Sequence, residues 1–415
     1  MRKIFASVDI GSSNIKIVVL EDLNGSLNIL ASNNYPSLGI KKGIIIDDDK
    51  VISCLKNAFD EINKSLGIKV DKVVTSVPIN NAKYTLTEGY TSITGDDGVI
   101  TSDDILNSLQ ASIYNKIPET EELVTVMPIK YVIDNKNEVI NPRGIKADKL
   151  SVLSMMVTVP KKNLYRHINV LSKVGVEVVD ILFNSIGDYY CYKDKTFDKD
   201  VVGVINIGSD KTELTIFNNS IITNSTLLAD GSNEIDKDIS YVYNLPMEKA
   251  SKIRNMFLVL DKEYANKNEV YETKDNSNIK IKINQYEVSE IAENKLVEIL
   301  EKAKKELNHL TKKDFRYIII TGGIGNIPGF DKVCKQIFQD KAVVKSIDKI
   351  GIRSFVYSSS YGMIKYFINK LSIRGREYTM VNEDKQYRLV ESKKETDNGF
   401  TIGKLFGYFF DNKEE

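Results

Sequence analysis

The sequence predicts an α/β protein with two duplicated domains, an α/β subdomain inserted in the first domain, and an amphipathic C-terminal helix on a flexible tether. Three observations favour this fold class. Residues 8–20 and 204–216 share one layout: an apolar strand, a tight turn of glycine and small polar residues, and a second apolar strand. Residues 318–330 end a further strand in a glycine pair. Between the repeats, from about residue 80 to residue 159, the pattern of strands and helices changes.

The first turn contains Gly11, Ser12, Ser13 and Asn14. Such a turn presents successive backbone N–H groups and hydroxyls to an anion, which is typical of a phosphate site. One hairpin of this kind carries little weight, because strand–glycine–strand turns are common. Two of them facing each other across a cleft can hold both ends of a nucleotide's phosphate chain. The glycine pair of the third segment lets the backbone approach a flat ligand such as a nucleoside.

The remaining elements of the first half alternate strand and helix. Acidic residues 47–49 favour a helix start, and apolar residues at helical spacing predict a helix over residues 50–66. The elements that follow are a strand over 70–77, a helix starting at 101–104, strands over 124–133 and 150–159, a helix over 161–174, a strand over 176–182 and a helix over 185–192.

The second half begins at a strand over residues 201–207 and is richer in helices. Asn284 with Glu287 three residues later is typical of a helix start, and it predicts a long helix that reaches residue 310. Residues 261–278 are polar and are predicted to be mostly irregular. The other predicted elements are helices over 234–243 and 247–257, a strand over 315–320, and helices over 331–338 and 358–371.

These elements divide the chain into segments. The predicted boundaries are 1–80 and 161–198 for the first domain, 81–160 for the inserted subdomain, 199–357 for the second domain with a smaller subdomain at 230–305, 358–381 for a return helix, 382–398 for a disordered linker and 399–415 for the amphipathic helix.

Composition excludes several classes of protein. The 415 residues carry 57 Lys and Arg against 57 Asp and Glu, so no broad basic field exists for nucleic acid. Cys54, Cys191 and Cys334 lack paired spacing and indicate reduced thiols of a cytosolic protein. His167 and His309 are expected to be structural and near neither phosphate turn. The chain enters a strand at once, without a signal peptide, and no stretch reaches the ~20 apolar residues that span a bilayer.

The tail combines a polar segment with an apolar helix pattern. Residues 382–398 are charged, and they predict a flexible tether. After them, Ile402, Leu405, Phe406, Phe409 and Phe410 fall on one helical face. Five half-buried side chains contribute on the order of 5 kcal/mol, and the basic face is thin, so one copy should bind a membrane weakly and many copies firmly. A tail that docks on its own domain is the alternative.

The three turns in this order resemble the actin-like ATPase superfamily. Within it, the stretch 43–47, the stretch 141–145 followed by Leu150, and the apolar tail are similar to the FtsA family of bacterial cell-division proteins. The resemblance runs from about Lys3 to the tail, with a gap at the polar stretch before it. It implies an actin-like ATPase fold that binds ATP and Mg²⁺. It also implies that the insertion serves self-association, although the insertion could instead only cover a hydrophobic face.

The resemblance further implies which residues form the site. Gly11, Ser12, Ser13 and Asn14 would hold the terminal phosphates with Lys16 as a positive charge, unless Lys16 is only an exposed strand-edge residue. Asp9 would hold magnesium through water. The remaining ligand-binding positions are Asn206, Gly208, Ser209 and Thr212 in the second turn, Gly231, Ser232 and Arg254 near the base and ribose, and Gly322, Gly323, Ile324 and Ile327 in the third turn.

The second turn departs from the family pattern. Asn206 stands where the family usually carries aspartate, and Asp210 places a carboxylate in the loop expected to hold phosphate. Asn206 brings no negative charge to a metal, so we expect weaker magnesium binding and slow hydrolysis. A turnover near the ~10 s⁻¹ typical of enzymes would contradict this expectation. Ser251 and Arg254 stand where the family has glutamate and lysine, and the missing carboxylate bears on adenine selectivity.

The resemblance implies a cell-division adaptor at the cytoplasmic side of the cell membrane at the septum. It would polymerise, bind the tubulin-like protein FtsZ and other division proteins but no nucleic acid, and hold the FtsZ ring to lipid through Phe400, Ile402, Leu405, Phe406, Phe409 and Phe410. An actin-like protein of type IV pilus assembly, which would be shorter and lack this tail, is one alternative. A sugar or acid kinase is less favoured, because no carboxylate base facing an acceptor hydroxyl is evident.

Overall fold

The computed structural model describes residues 3–95, 97–375 and 377–381. The predicted tether and tail, including Phe400, Ile402, Leu405, Phe406, Phe409 and Phe410, lie outside these described residues. The first half contains, in chain order, β1 (Lys3–Ile10), β2 (Asn14–Leu23), β3 (Ser26–Pro36), β4 (Ile40–Lys41), β5 (Ile44–Ile45), α1 (Asp48–Leu66), β6 (Lys72–Ser76), β7 (Lys83–Ser92), α2 (Ser102–Ile113), β8 (Glu121–Ile133), β9 (Asn137–Val139), β10 (Lys149–Pro160), α3 (Lys161–Lys173), β11 (Glu177–Leu182) and α4 (Asn184–Tyr192).

The second half and the return helix complete the described chain. They contain β12 (Val201–Ile207), β13 (Thr212–Asn218), β14 (Ile221–Leu228), α5 (Asn233–Val242), α6 (Met247–Met256), β15 (Val270–Lys274), β16 (Lys280–Asn284), α7 (Gln285–Leu310), β17 (Tyr317–Thr321), α8 (Phe330–Phe338), β18 (Ala342–Val343) and α9 (Ser358–Arg374).

Two five-stranded sheets repeat one topology. The first has the strand order β11-β6-β1-β2-β3, and the second has the order β18-β17-β12-β13-β14. In each sheet the opening strand pairs antiparallel with the strand after its turn and parallel with the strand on its other side. The parallel neighbours require crossover connections, which the helices provide. The sequence repeat therefore corresponds to two equivalent halves in space.

The helix starts follow the local chemistry of the chain. Asp47 caps α1 by accepting a hydrogen bond from the backbone N–H of Lys50, and Asp48 and Asp49 occupy its first turn. Asn284 caps α7 in the same way, because its side chain accepts from the N–H groups of Tyr286 and Glu287. Both helices end where the periodicity predicts, at Leu66 and Leu310.

The inserted segment forms a sheet of its own. Its four strands have the order β7-β10-β8-β9, all pairs are antiparallel, and α2 packs on β7 and β10. Thr101 and Asp104 form a reciprocal capping box at the start of α2. A separate apolar core, which includes Leu109 and Val152, lies between α2 and the sheet.

One hairpin of the structure is not predicted from the sequence. Residues 261–278, expected to be mostly irregular, contain β15, which pairs antiparallel with β16. Both strands are largely exposed, and their charged residues mask the alternation of Ile279, Ile281 and Ile283. The prediction of irregular structure is wrong for this part of the segment.

The two halves are joined where α4 and α9 cross. A Cβ atom at Gly362 would lie 1.7 Å from the carbonyl oxygen of Gly187, and one at Gly187 would lie 2.3 Å from the carbonyl oxygen of Ser359. Only glycine permits this approach between the two helix backbones. The crossing brings the N-termini of both helices to the ends of β1 and β12, where the cleft opens.

Candidate functional site: the cleft between the repeated turns

The two predicted phosphate turns have the same hydrogen-bonded geometry. The Gly11 N–H donates to the carbonyl of Asn14 over 3.0 Å, and the Gly208 N–H donates to the carbonyl of Lys211 over 2.9 Å. Each bond closes the turn at the same spacing. Both turns are therefore closed in the same way at equivalent positions, and such turns present backbone N–H groups to an anion.

The third turn lies beside the second because β17 pairs with β12. Gly322 has a φ of 113°, and a Cβ atom on it would lie 2.1 Å from the carbonyl oxygen of Ile207. A side chain at this position is excluded by both the backbone angle and the space. The glycine pair thus lets a third backbone segment close against the second turn.

The three turns line one cleft of about 460 Å³. Most of the predicted positions line it: Asp9, Gly11, Ser12, Ser13, Asn14, Lys16, Asn206, Gly208, Ser209, Ser232, Arg254, Gly322, Gly323, Ile324 and Ile327. Two predicted positions are not among the lining residues. Thr212 is buried with its hydroxyl on the carbonyl of Asp230, and Gly231 packs against the backbone of Ser209.

Asp9 is held at the first turn by three donors. Its Oδ2 accepts from the Lys16 ammonium over 2.8 Å. Its Oδ1 accepts from the Ser76 hydroxyl over 3.0 Å and from the Asn184 amide over 3.2 Å. These bonds offset the cost of burying a carboxylate that is 3% exposed. Lys16 thus faces the cleft as the ion-pair partner of Asp9, and not as an isolated surface lysine.

Glu213 is a cleft residue that the sequence prediction missed. It lies directly across the strand pair from Asn206, just as Lys16 lies across from Asp9. One of its carboxylate oxygens is 3.2 Å from the Lys211 ammonium. The other is buried and has no hydrogen-bond partner among the residues that the structure describes. The second half therefore has its carboxylate on β13, across from position 206 on β12 where an acid was expected. A position-by-position comparison of the two repeated segments would have pointed to Glu213.

Asn184, which also lines the cleft, carries a second buried acceptor that is not hydrogen-bonded within the described residues. The Asn184 amide donates to Asp9, and its buried Oδ1 accepts no hydrogen bond within the described part of the chain. Asp9, Glu213 and Asn184 together offer oxygen atoms, which are the ligands that Mg²⁺ and its bound waters prefer. No group of three or more His, Cys, Asp or Glu side chains arranged to hold a metal occurs among the described residues. These donors fit a magnesium ion that keeps most of its waters.

Asp210 in the second turn has a hydrogen-bond donor for each of its two carboxylate oxygens. Its Oδ2 accepts from the Lys42 backbone N–H over 3.0 Å, and its Oδ1 accepts from the Asn233 amide over 2.8 Å. The neighbouring Gly43 N–H donates to the Ser12 hydroxyl over 2.9 Å. The loop between β4 and β5 therefore connects the first turn with the second across the mouth of the cleft.

Arg254 reaches the cleft as part of a buried ion pair. Its Nε and Nη2 donate to the two carboxylate oxygens of Asp236 over 2.6 and 3.2 Å, and Nη2 also lies 3.3 Å from the Ser251 hydroxyl. Burial raises the pKa of Asp236 against the opposing effect of Arg254. Asp236, on the neighbouring helix α5, thus places a carboxylate next to Arg254, and position 251 contributes a hydroxyl.

The expectation that both histidines lie away from the phosphate turns is wrong for His167. This residue is 3% exposed and lines the cleft, to which α3 carries it. Its Nδ1 is 3.0 Å from the carbonyl of Asn163. Burial lowers the pKa of His167 to about 4, so the ring is neutral at pH 7. The position of α3 in the fold, and no local motif, brings the ring here.

His167 should make the protein sensitive to acid. The imidazole of the unfolded chain takes up a proton as the pH falls through 6.5, whereas the folded protein resists until about pH 4. Its contribution to stability is therefore lost as the pH falls through this window. Between pH 7 and pH 5, the wild-type protein should lose about 2 kcal/mol more of its free energy of unfolding than the His167→Gln variant. Urea unfolding at both pH values measures the difference.

The exposed His309 provides the matched control for this experiment. A His309→Gln variant should lose stability between pH 7 and pH 5 in parallel with the wild type. Equal losses in all three proteins would show that burial of His167 has no such consequence.

No helix within the described residues is long and apolar enough to cross a membrane.

A family model described as "Cell division protein FtsA" matches residues 203–362, and one described as "SHS2 domain inserted in FTSA" matches residues 80–158. Together they span more than half of the chain. The cell division protein FtsA of Bacillus subtilis is 27% identical over 377 residues, covering 90% of this chain and 86% of that protein. FtsA of Streptococcus pneumoniae is 24% identical, covering 84% and 77%.

Solved structures share the fold at low sequence identity. The PilM-PilN type IV pilus biogenesis complex matches with a TM-score of 0.59 and 11% identity, over 86% of this chain and 97% of that chain. MreB5 of Spiroplasma citri bound to ADP matches with a TM-score of 0.52 and 15% identity, over 89% and 97%. The same protein bound to AMPPNP matches with a TM-score of 0.50 and 16% identity, over 90% of this chain and 99% of that chain. These likenesses show the actin-like ATPase fold.

Proposed function

The chain belongs to the FtsA family of actin-like cell-division proteins, and from that premise we propose that it binds ATP with magnesium, assembles with copies of itself and anchors a ring of FtsZ to the cytoplasmic face of the cell membrane. The single observation that carries the nucleotide part is the cleft between two turns of equal geometry, closed by a third glycine turn. ADP and AMPPNP are the ligands named for the MreB5 structures of the same fold.

The charges of the cleft support a metal-bound nucleotide. Three acidic side chains, Asp9, Asp210 and Glu213, balance three basic ones, Lys16, Lys211 and Arg254, among the described residues that line it. A triphosphate brings several negative charges that this balanced set does not neutralise. Magnesium, held through water by Asp9 and Glu213, would supply the missing positive charge next to the phosphates. Hydrolysis is proposed to be slow, because Asn206 replaces the family's acid at the second turn.

The inserted subdomain offers a surface for self-assembly. Strand β7 is at the edge of its sheet, so within the described chain one of its sides pairs with no other strand. Leu86 and Tyr90 on this strand are 61% and 67% exposed. Exposed apolar side chains on an open edge are typical of a strand that meets another chain. This surface supports a polymer in which the insertion contacts the next copy.

The membrane contact is proposed for residues 399–415. One amphipathic segment with a thin basic face binds lipid weakly, whereas a polymer presents many segments at high effective concentration. Membrane binding should therefore depend on assembly more than on lipid charge. The FtsZ ring would be held to the membrane through the same linkage.

Co-sedimentation with lipid vesicles tests this function. Full-length protein should pellet with vesicles and carry FtsZ with it, and a chain without residues 399–415 should do neither. Phe406→Glu, which places a charge on the predicted apolar face, should reduce pelleting about ten-fold by removing roughly 1.5 kcal/mol. Lys404→Gln lowers the net charge by the same single unit on the opposite side of the predicted helix and serves as the matched control.

Two outcomes would contradict the proposal. Full-length protein that pellets with neither vesicles nor FtsZ would leave only the family assignment. Equal pelleting of the Phe406→Glu and Lys404→Gln variants would show that the apolar face does not hold the lipid.

A further inference from the structure

Asp188 joins three elements behind the cleft. It lies on α4, is fully buried and does not line the cleft itself. Its Oδ1 accepts from the hydroxyls of Ser358 and Ser359 on α9 over 2.6 and 2.9 Å. Its Oδ2 accepts from the side-chain amide of Asn206 at the end of β12. One carboxylate thus connects the helix crossing between the two halves with the second phosphate turn.

This contact fixes the orientation of the Asn206 amide. An ionised carboxylate can only accept hydrogen bonds, so it must face the amide nitrogen of Asn206. The Ser359 hydroxyl lies 3.3 Å from the same nitrogen. The Asn206 Oδ1 atom accepts no hydrogen bond within the described residues, and Asn206 lines the cleft. The amide is therefore held with its nitrogen toward the protein and its oxygen free for the cleft.

We propose that Asp188 is a positioning residue for the metal side of the site, holding the Asn206 carbonyl oxygen toward the waters of a bound magnesium ion. The inference rests on the proposed nucleotide function. A hydrogen bond from the amide to an anion polarises that amide and makes its oxygen a stronger acceptor. Position 206 thus carries a neutral acceptor whose orientation is set by the carboxylate at position 188.

Because the side chains at positions 188 and 206 are in direct contact, the effect of a substitution at one depends on the residue at the other. Asn206→Asp alone would place two carboxylates in contact without a donor between them, which is unfavourable for both. Asp188→Asn added to it would reverse donor and acceptor and restore one hydrogen bond and one charge. The reciprocal exchange should therefore behave better than the single Asn206→Asp change, although it contains one more substitution.

The test compares ATP affinity in excess Mg²⁺ with ATP affinity in EDTA, on the full-length chain. The ratio of the two is the magnesium enhancement. Asp188→Leu, which has no acceptor, should reduce the enhancement about ten-fold, as loss of an outer-shell partner does, and leave affinity in EDTA within about two-fold. Asp188→Asn retains an oxygen that accepts from Asn206, so its enhancement should stay within about three-fold of the wild type. A merely structural role would change both affinities together.

A second measurement needs no nucleotide. Asn206→Asp should lower the melting temperature of the ligand-free protein by about 5 °C, and the added Asp188→Asn should restore most of that loss. Wild-type enhancement in the Asp188→Leu variant, or equal melting of the single and the exchanged proteins, would overturn the inference. A wild-type chain that binds no ATP in either buffer would instead refute the proposed function. The melting comparison contains no nucleotide, so it tests the contact between Asp188 and Asn206 separately.

Discussion

Replacing Asp9 by asparagine should weaken the binding of ATP about 100-fold when Mg²⁺ is present, the upper end of the cost of losing an outer-shell metal partner. Asp9 is buried at the first turn, and its Oδ2 atom binds the Lys16 ammonium. The variant keeps the size of the side chain and removes its charge, so the cleft loses one of its two proposed magnesium carboxylates. Titration of the full-length chain with a fluorescent ATP analogue measures the effect.

The same titration in EDTA separates the metal effect from general damage. Without magnesium, Asp9→Asn should not weaken ATP binding, because it removes a negative charge from the phosphate side of the cleft. The matched control is Asp103→Asn, the same chemical change at an exposed position of α2 in the inserted subdomain. If Asp9→Asn lost equal affinity in both buffers, or none in either, Asp9 would not act through a metal.

A single methyl group at the helix crossing should destabilise the whole protein. The Cβ atom of Gly362→Ala would lie 1.7 Å from the Gly187 carbonyl oxygen, so α4 and α9 must separate. Overpacking of this kind costs about 3 kcal/mol, which exceeds the roughly 1 kcal/mol that alanine adds to helix stability. Because the chain contains no tryptophan, circular dichroism during urea unfolding is the suitable measurement.

Asn369→Ala is the control on the same helix. This residue is exposed on α9, away from the crossing, and its replacement should change the free energy of unfolding by less than about 0.5 kcal/mol. Separation of the helices would also move Ser358 and Ser359 away from Asp188, so Gly362→Ala should weaken ATP binding as well. A Gly362→Ala protein as stable as the wild type would show that the helices do not approach as described.

The features that the sequence predicts well are local ones. The two turns are readable because apolar strands flank glycine and small polar residues within a few positions, and the structure closes both turns with equivalent bonds. The starts of α1 and α7 are readable because Asp47 and Asn284 bond to backbone groups within three residues. Asp9, Lys16 and Gly322, which the family resemblance of these turns implied as site residues, line the cleft.

The features that the sequence does not predict depend on contacts between distant residues. The packing of α3 brings His167 to the cleft, and the packing of α4 brings Asp188 behind the cleft against Asn206. Neither residue belongs to a motif that periodicity or spacing would reveal. The ion pair between Asp236 and Arg254 joins two helices, α5 and α6. Glu213 is different, since it follows the second turn as Lys16 follows the first, and comparing the repeats position by position would have identified it.

The central claim is that a nucleoside triphosphate binds between the three turns. Hydrogen–deuterium exchange of the full-length chain, with and without ATP and Mg²⁺, tests it most directly. The account predicts slower exchange at residues 11–14, 208–211 and 322–326 together, because the ligand would occupy or cover these backbone N–H groups. Nucleotide binding that leaves all three turns unchanged, or that slows exchange only elsewhere in the chain, would contradict it.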